Sequence, residues 1–330
     1  MSKIETTLSD ILNDRVKSKS GRTSDLFGKA KRVAGRASEV MVKVSGNTKG
    51  GGHVKAHLDY ISRNGKLEIE NERGEILEGK EDVKALHKEW TEDGGKRRAN
   101  GKTRDTTNIV LSMPAGTEAL AVKESAREFA KKTFSKNHQY VFALHTDADH
   151  PHVHLTVKNL GYDGKRLHIK KGDPQVWRET FATELQKRGI DAEATPRATR
   201  GVIKKGISQT IKHIRDRGLT PEADKSKIKE IVEDFSNSAA GKPTKPKPWE
   251  EKIAKRQTQV RKGWLEAAKE LNASSKEEDK NLAKAIVGFV KDMPPMETER
   301  HQLSKAVAAQ LQKGKPAHPP RNSREDDQER

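Results

Sequence analysis

With 330 residues, 66 Lys and Arg against 48 Asp and Glu, and a formal net charge of +18, the chain is long enough for two domains and attracts polyanions, nucleic acid first among them. Only 32% of its residues are hydrophobic and 4% aromatic, which excludes one core running through the whole chain. There is no cysteine, so disulfides, thiolate metal sites and a cysteine nucleophile are excluded, and any metal must be held by nitrogen and oxygen.

Residues 1–38, dotted with Lys17, Lys19, Arg22, Lys29, Lys31, Arg32 and Arg36, read as a flexible basic arm. They lack the apolar run of a signal peptide, and nothing later approaches the roughly 20 apolar residues of a membrane span, so a bacterial cytoplasm is the expected location. Val40, Met41, Val42 and Val44 predict a strand, followed by the glycine loop Gly50-Gly51-Gly52. A helix from His53 to about Arg63 carries Tyr60 and stops at Asn64-Gly65, residues that tolerate a left-handed backbone. Val83, Leu86 and Trp90 stand at helical spacing.

Strands are predicted over residues 108–114, 139–145 and 152–158, and helices over 118–134 and 174–188. Because the strands do not alternate regularly with helices, the expected class is α+β with an antiparallel sheet, in a unit spanning 39–201. Beyond it, 202–248 reads as a charged helical segment ending in a Pro/Lys linker, and 249–312 as a small all-helical C-terminal unit of three helices. The tail 313–330, rich in Pro, Arg, Asp and Glu, is expected to be disordered.

Five of the 12 histidines fall between positions 138 and 154, four of them in the run from His145 to His154. On a strand, residues two apart share a face, so His152 and His154 present two imidazoles side by side while Val153 turns to the other face. His145 ends the preceding strand, and an antiparallel return brings it beside the pair. Three imidazoles with open coordination positions suit a catalytic metal. Asp147 or Asp149 is then a candidate to orient a ligand imidazole, or simply forms an Asx turn. A tract of surface histidines is the alternative for a His-x-His motif alone.

The run His145 to Asn159, HTDADHPHVHLTVKN, resembles the third motif of the HUH relaxases, closest to the MobP class and its T-DNA border and mobilization nucleases. Residues 58–66, LDYISRNGK, are similar to that group's nucleophile motif, and 108–114, NIVLSMP, to its second. The likeness covers roughly residues 39–200. It implies an antiparallel-sheet HUH (palm-like) nuclease domain flanked by helices, with Tyr60 as nucleophile, His145, His152 and His154 as metal ligands, and Ser112 as a DNA-contacting residue. Asp149, as a catalytic group, and His150 are implied as assisting. Of the three tyrosines, Tyr140 sits inside an apolar strand and Tyr162 in a Gly-Tyr-Asp-Gly turn, which leaves Tyr60.

A tyrosine phenol, with an ordinary pKa of about 10, needs a nearby cation or base to attack at neutral pH; Arg63, one helical turn on, and the metal are the candidate cations, and a histidine or aspartate of the cluster the candidate proton acceptor. The implied activity is nicking and religation of one plasmid strand at an origin of transfer through a 5′-phosphotyrosine, with DNA read single-stranded. The implied cofactor is a divalent cation, Mg or Mn first, with Zn, Co or Ni also suited to imidazoles. Implied partners are single-stranded and supercoiled plasmid DNA, relaxosome accessory proteins and a type IV secretion coupling protein, with export alongside the DNA. Lys49, Lys55, Arg63, Lys66, Lys158, Lys165, Arg166, Lys170, Lys171, Arg197 and Arg200 are candidate phosphate contacts. A rolling-circle replication initiator of the HUH class, a non-catalytic DNA-binding accessory protein and a water-using phosphoesterase are the competing readings. Against the first, the nucleophile motif here precedes the histidines.

Overall fold

A computed structural model describes residues 2–12, 25–92, 103–203, 206–243 and 247–312. Helices α1 (Lys3–Leu12) and α2 (Leu26–Ala34) come first. Then follow β1 (Ser38–Glu39), β2 (Met41–Thr48), α3 (Gly51–Ile61), β3 (Ile69–Asn71), β4 (Ile76–Leu77), α4 (Gly79–Glu92) and β5 (Thr106–Ser112). The chain continues through α5 (Ala119–Phe134), β6 (Tyr140–His145), β7 (His152–Lys158), α6 (Asp173–Gln186) and β8 (Ala192–Glu193). A 3-10 turn (Arg197–Arg200) leads to α7 (Gln209–Asp216), α8 (Glu222–Ala239), α9 (Pro248–Asn272), α10 (Glu277–Lys291) and α11 (Glu299–Gln312).

Two compact units divide these residues, one holding 36–194 and the other 2–12, 25–35 and 195–312. The first contains the expected antiparallel sheet, six strands in the order β2-β5-β7-β6-β3-β4. Alternation along β5 and β7 sorts its two faces. Ile109, Leu111, Val153, Leu155 and Val157 turn one way and join Phe129, Phe134, Trp177 and Phe181 of α5 and α6 in the main core. Phe129 is fully buried, and its truncation to Ala would cost about 3–5 kcal/mol. The opposite face is polar over β5 and β7 and apolar only over β6 and β3. There Val141, Ala143 and Ile69 pack against Val54, Leu58 and Ile61 of α3 and Val83, Leu86 and Trp90 of α4. The sheet's second face is therefore roofed on one side only, and the roof's edge is α3.

Glu70 of β3, on the core face, is almost fully buried and receives Arg127 Nη2 of α5 at 2.6 Å. The strands β3 and β4 had no counterpart in the predicted elements. At two or three residues each they are too short for a period to register, and only the pairing with β6 defines them.

The second unit is helical. Leu8, Ile11, Leu12, Ala30 and Val33 bury with Val260, Trp264, Leu271, Ile286 and Phe289 of α9 and α10 in one cluster. The described parts of the stretch read as a flexible basic arm are thus two packed helices. In α1 the apolar residues Ile4, Leu8, Ile11 and Leu12 stand at helical spacing, with Lys3 the one basic side chain of the helix. A further small cluster joins Ile231 of α8 to Leu303 and Val307 of α11. Trp264 Nε1 donates to the Thr199 carbonyl at 3.1 Å and Gln257 Nε2 to that of Ala198 at 3.1 Å, so α9 grips the 3-10 turn. The expected tail 313–330 lies outside the described residues. Among the described residues no helix is long and apolar enough to cross a membrane.

Candidate active site and metal centre

Strand register builds the site. Ser112 of β5 stands opposite His152 of β7, which stands opposite His145 of β6; Val110, His154 and Ala143 form the next row. Paired residues of an antiparallel ladder share a face, so the three imidazoles lie together on the half-roofed side. Their ring centroids are 4.5 Å (His145–His154), 5.2 Å (His152–His154) and 5.3 Å (His145–His152) apart. Each offers one ring nitrogen, and these atoms lie within 4.8 Å of one another.

The donor set fits a metal ion on chemical grounds. Burial pushes the pKa of His154 down to about 3, helped by the neighbouring imidazoles and Arg63. Burial also lowers His145, with Arg63 adding to the effect and the hydrogen bond to the Ile61 carbonyl opposing it. Both rings are therefore neutral near pH 7, with lone pairs to give. Nε2 of His145 donates to the Ile61 carbonyl at 2.8 Å, which uses an orphan carbonyl of the last turn of α3 and leaves Nδ1 as the acceptor nitrogen. Nδ1 of His152 donates to the His150 carbonyl at 3.2 Å, leaving Nε2. A nitrogen-only cluster of this kind is matched to a divalent transition ion, with open positions for substrate oxygens.

Tyr60 lies at the rim, 50% exposed, near the end of α3. Its ring centroid is 5.4 Å from that of His154, edge-on, and 6.2 Å from that of His145. After Ile61 the chain leaves the helix through left-handed Arg63 (φ 51°), Asn64 (φ 57°) and Gly65 (φ 80°). The Asn64-Gly65 stop reads correctly from the sequence, although the helix begins and ends two residues before the expected bounds. At Gly65 nothing larger fits, since a Cβ there would meet the Gly79 backbone at 2.6 Å. The turn sends Arg63 back over the site. Its Cζ lies 5.2 Å from the Tyr60 ring centroid, Nη2 donates to His145 Nδ1 at 3.2 Å, and the same atom pairs with Asp147.

Of the remaining expected residues, Ser112 is buried on the His152 row, its hydroxyl donating to the Met113 carbonyl at 3.4 Å. His150 is buried and stacks on His152, centroids 5.2 Å apart. Asp147 is held below the usual carboxylate range: burial raises it, but Arg63 and the nearby imidazoles outweigh that. Asp149 is exposed and lies outside the converging group.

Several candidate phosphate contacts are already engaged. Lys55 pairs with Asp59 at 2.5 Å, and Lys158, buried, donates to Gln139 Oε1 at 2.8 Å. Arg166 Nη1 donates to the Arg104 carbonyl at 3.0 Å. Arg197 and Arg200 belong to the helical unit.

Two residues went unnoticed in the sequence. Exposed Lys43 of β2 stands opposite Val110 and so shares the row of His154. His57 of α3 lies one turn before Tyr60, its Nε2 hydrogen-bonded to Thr156 Oγ1 at 3.0 Å, and burial pushes its pKa down to about 4. The available signal was spacing: His57 is three before Tyr60, and Thr156 two after His154.

Comparison with known proteins places the same segment. Residues 60–190 match the relaxase family described as MobA/VirD2-like, nuclease domain. The T-DNA border endonuclease VirD2 of Rhizobium radiobacter is 30% identical over 192 residues, covering 52% of this chain and 45% of that protein. Its counterpart of the same name in Agrobacterium fabrum (strain C58 / ATCC 33970) is 27% identical over 192 residues, 52% and 42%. The 43 kDa relaxation protein of Salmonella typhimurium is 27% identical over 180 residues, 49% and 46%. The chain thus spans less than half the length of the curated relatives it matches. A solved structure described as "Molecular Basis of Vancomycin Resistance Transfer in Staphylococcus aureus" aligns over 48% of this chain and 99% of that one, with a TM-score of 0.33 and 15% identity.

Proposed function

We propose that this chain, whose residues 60–190 match the relaxase family described as MobA/VirD2-like, nuclease domain, nicks and rejoins one strand of plasmid DNA at an origin of transfer, with Tyr60 as the nucleophile. The observation that carries this reading is the seat of an exposed phenol against an imidazole cluster, 5.4 Å between the Tyr60 and His154 ring centroids.

In the proposed reaction the Tyr60 phenol oxygen attacks the scissile phosphorus. An O–P bond forms, the bond from phosphorus to the 3′ oxygen breaks, and the products are a 5′-phosphotyrosine and a free 3′-hydroxyl. The phenol proton leaves to solvent or to Asp147, the carboxylate that pairs with Arg63, and the departing 3′ oxygen takes one up. Arg63, over the phenol ring, supplies a fixed positive charge where negative charge develops. His145, His152 and His154 would hold a divalent cation, Mg or Mn in the first instance, which when bound supplies Lewis-acid polarisation of the phosphate. Because the phosphotyrosine conserves the energy of the broken ester, the 3′-hydroxyl can reverse the step and reseal the strand.

The open, polar side of the sheet over β2 and β5, with Ser112, Lys43 and His150 around the cluster, is the proposed seat of the single strand. Relaxosome accessory proteins and a secretion coupling protein are proposed partners of the helical unit, and export with the DNA the proposed fate of the covalent product.

The deciding experiment is Tyr60→Phe. The variant should retain DNA and metal binding yet give no covalent adduct on a denaturing gel. Undiminished cleavage would instead favour a water-using phosphoesterase.

A further inference from the structure

His57 is the one ring in this neighbourhood that the proposed chemistry leaves without a task. It sits on α3, one turn before Tyr60, and faces inward. Its Nε2 is hydrogen-bonded to Thr156 Oγ1 at 3.0 Å, and Thr156 is wholly buried two residues along β7 from His154, on the same face. On its other side its ring lies 26° from the plane of the Tyr60 ring, centroids 6.3 Å apart. His57 thus touches both the strand that carries two of the three clustered imidazoles and the side chain that must reach them.

That connection matters because α3 is otherwise held by apolar packing and, at its far end, by one hydrogen bond from His87 Nε2 of α4 to the Gly51 carbonyl at 2.9 Å. Val54, Leu58 and Ile61 hold the helix down on β6 and β3, the side of the sheet away from β7. Apolar contacts are non-directional and tolerate small slides of a helix along its axis. The hydrogen bonds joining this helix to the cluster strands are directional, and they are two: the Ile61 carbonyl to His145 on β6, and His57 to Thr156 on β7. One fixes the end of α3 and the other the turn before Tyr60, so together they set both the height and the rotation of the phenol over the cluster.

We propose that His57 is a positioning residue for Tyr60: its hydrogen bond to Thr156 locks α3 to β7 at the rotation that keeps the phenol beside His154. The inference rests on the reading of Tyr60 as nucleophile. A side chain that only fills space there should be replaceable by any residue of similar bulk, whereas a positioning role requires a group that can hydrogen-bond Thr156. Gln carries an amide near the place of Nε2; Leu matches much of the volume without it.

The test uses the full chain, Mn²⁺ and the oligonucleotide recovered from wild-type adducts formed on a random-sequence, single-stranded DNA pool. Single-turnover adduct formation should slow roughly 10–100-fold in His57→Leu, the scale expected when a reacting group shifts by about an ångström, with oligonucleotide affinity and Mn²⁺ content unchanged. His57→Gln should recover most of the rate. Thr156→Val, which deletes the same bond from the strand side at nearly constant volume, should match His57→Leu, and the double variant should be no slower than either single one. Full-rate adduct formation by His57→Leu, or failure of Gln to restore it, overturns the positioning role. If His57→Leu does not fold, Thr156→Val decides alone, a wild-type rate counting against the proposal. Should the wild type form no adduct, or Tyr60→Phe still form one, the nucleophile reading fails and takes this inference with it.

Discussion

Arg63 Nη2 donates to Nδ1 of His145 at 3.2 Å from a backbone held in the left-handed region. One guanidinium thus occupies the acceptor nitrogen of a candidate metal ligand while its Cζ lies 5.2 Å from the Tyr60 ring centroid. Replacing it separates these two effects. Arg63→Gln should bind Mn²⁺ more tightly in calorimetry, because a positive charge leaves the cluster and a lone pair is freed. Its adduct formation should nonetheless slow by about 100-fold, the usual loss on removing one stabilising donor. Weaker Mn²⁺ binding would refute this account of His145.

Removal of a clustered imidazole should act on the metal first. His152→Ala and His154→Ala each leave two nitrogens, and Mn²⁺ affinity should fall by more than about 100-fold, beyond the loss typical for a residue that only supports a ligand. A chelator should abolish nicking by the wild type, and added Mn²⁺ should restore it. Unchanged metal content in both variants, measured by elemental analysis, would count against the ligand assignment.

The metal-free protein should lose stability on mild acidification. Burial holds His57 down at about 4 in the fold against an ordinary value of 6.5, so the unfolded chain takes the proton first. The contribution of neutral His57 is complete above pH 6.5 and is lost as pH falls from there through 4. His154, pushed down by burial to about 3, acts in the same direction. Melting temperature followed over this range should decline, and His57→Gln, which does not titrate, should decline less steeply. Parallel curves for the two proteins would contradict the buried, neutral state of His57.

Gly65→Ala should be costly at a single atom's expense. The position combines φ 80° with a Cβ site 2.6 Å from the backbone of Gly79, so left-handed strain of about 1 kcal/mol is joined by a steric clash. A total of about 2–4 kcal/mol in denaturant unfolding is expected, together with slower adduct formation, because Arg63 belongs to the same left-handed turn. At the adjacent Asn64, substitution by Gly should change stability by less than about 1 kcal/mol.

The parts of this molecule legible in sequence are those governed by period and punctuation. The spacing His-x-His on β7, the glycine after α3 and the stripe Val83, Leu86, Trp90 each state a local rule, and the α+β class is legible in strand segments that do not alternate regularly with helices. What stayed hidden depends on partners distant in the chain. Arg63 meets Asp147 across 84 positions and His57 meets Thr156 across 99, and no window holds both members of either pair. The second N-terminal helix was obscured differently: Lys29, Lys31 and Arg32 give α2 a basic composition although Lys29, Ala30, Val33 and Ala34 form its buried face.

The pairing of His145 with His152 closes the β6–β7 ladder, with residues 146–151 as the connection between them. Strand side chains alternate by parity, so the phase of β7 against β6 decides which face its imidazoles meet. A one-residue slip of that pairing would turn His152 and His154 together to the apolar side of the sheet while every histidine stayed present in the sequence. A homologue with the right residues and β7 out of step by one would look competent by motif and be dead by phase.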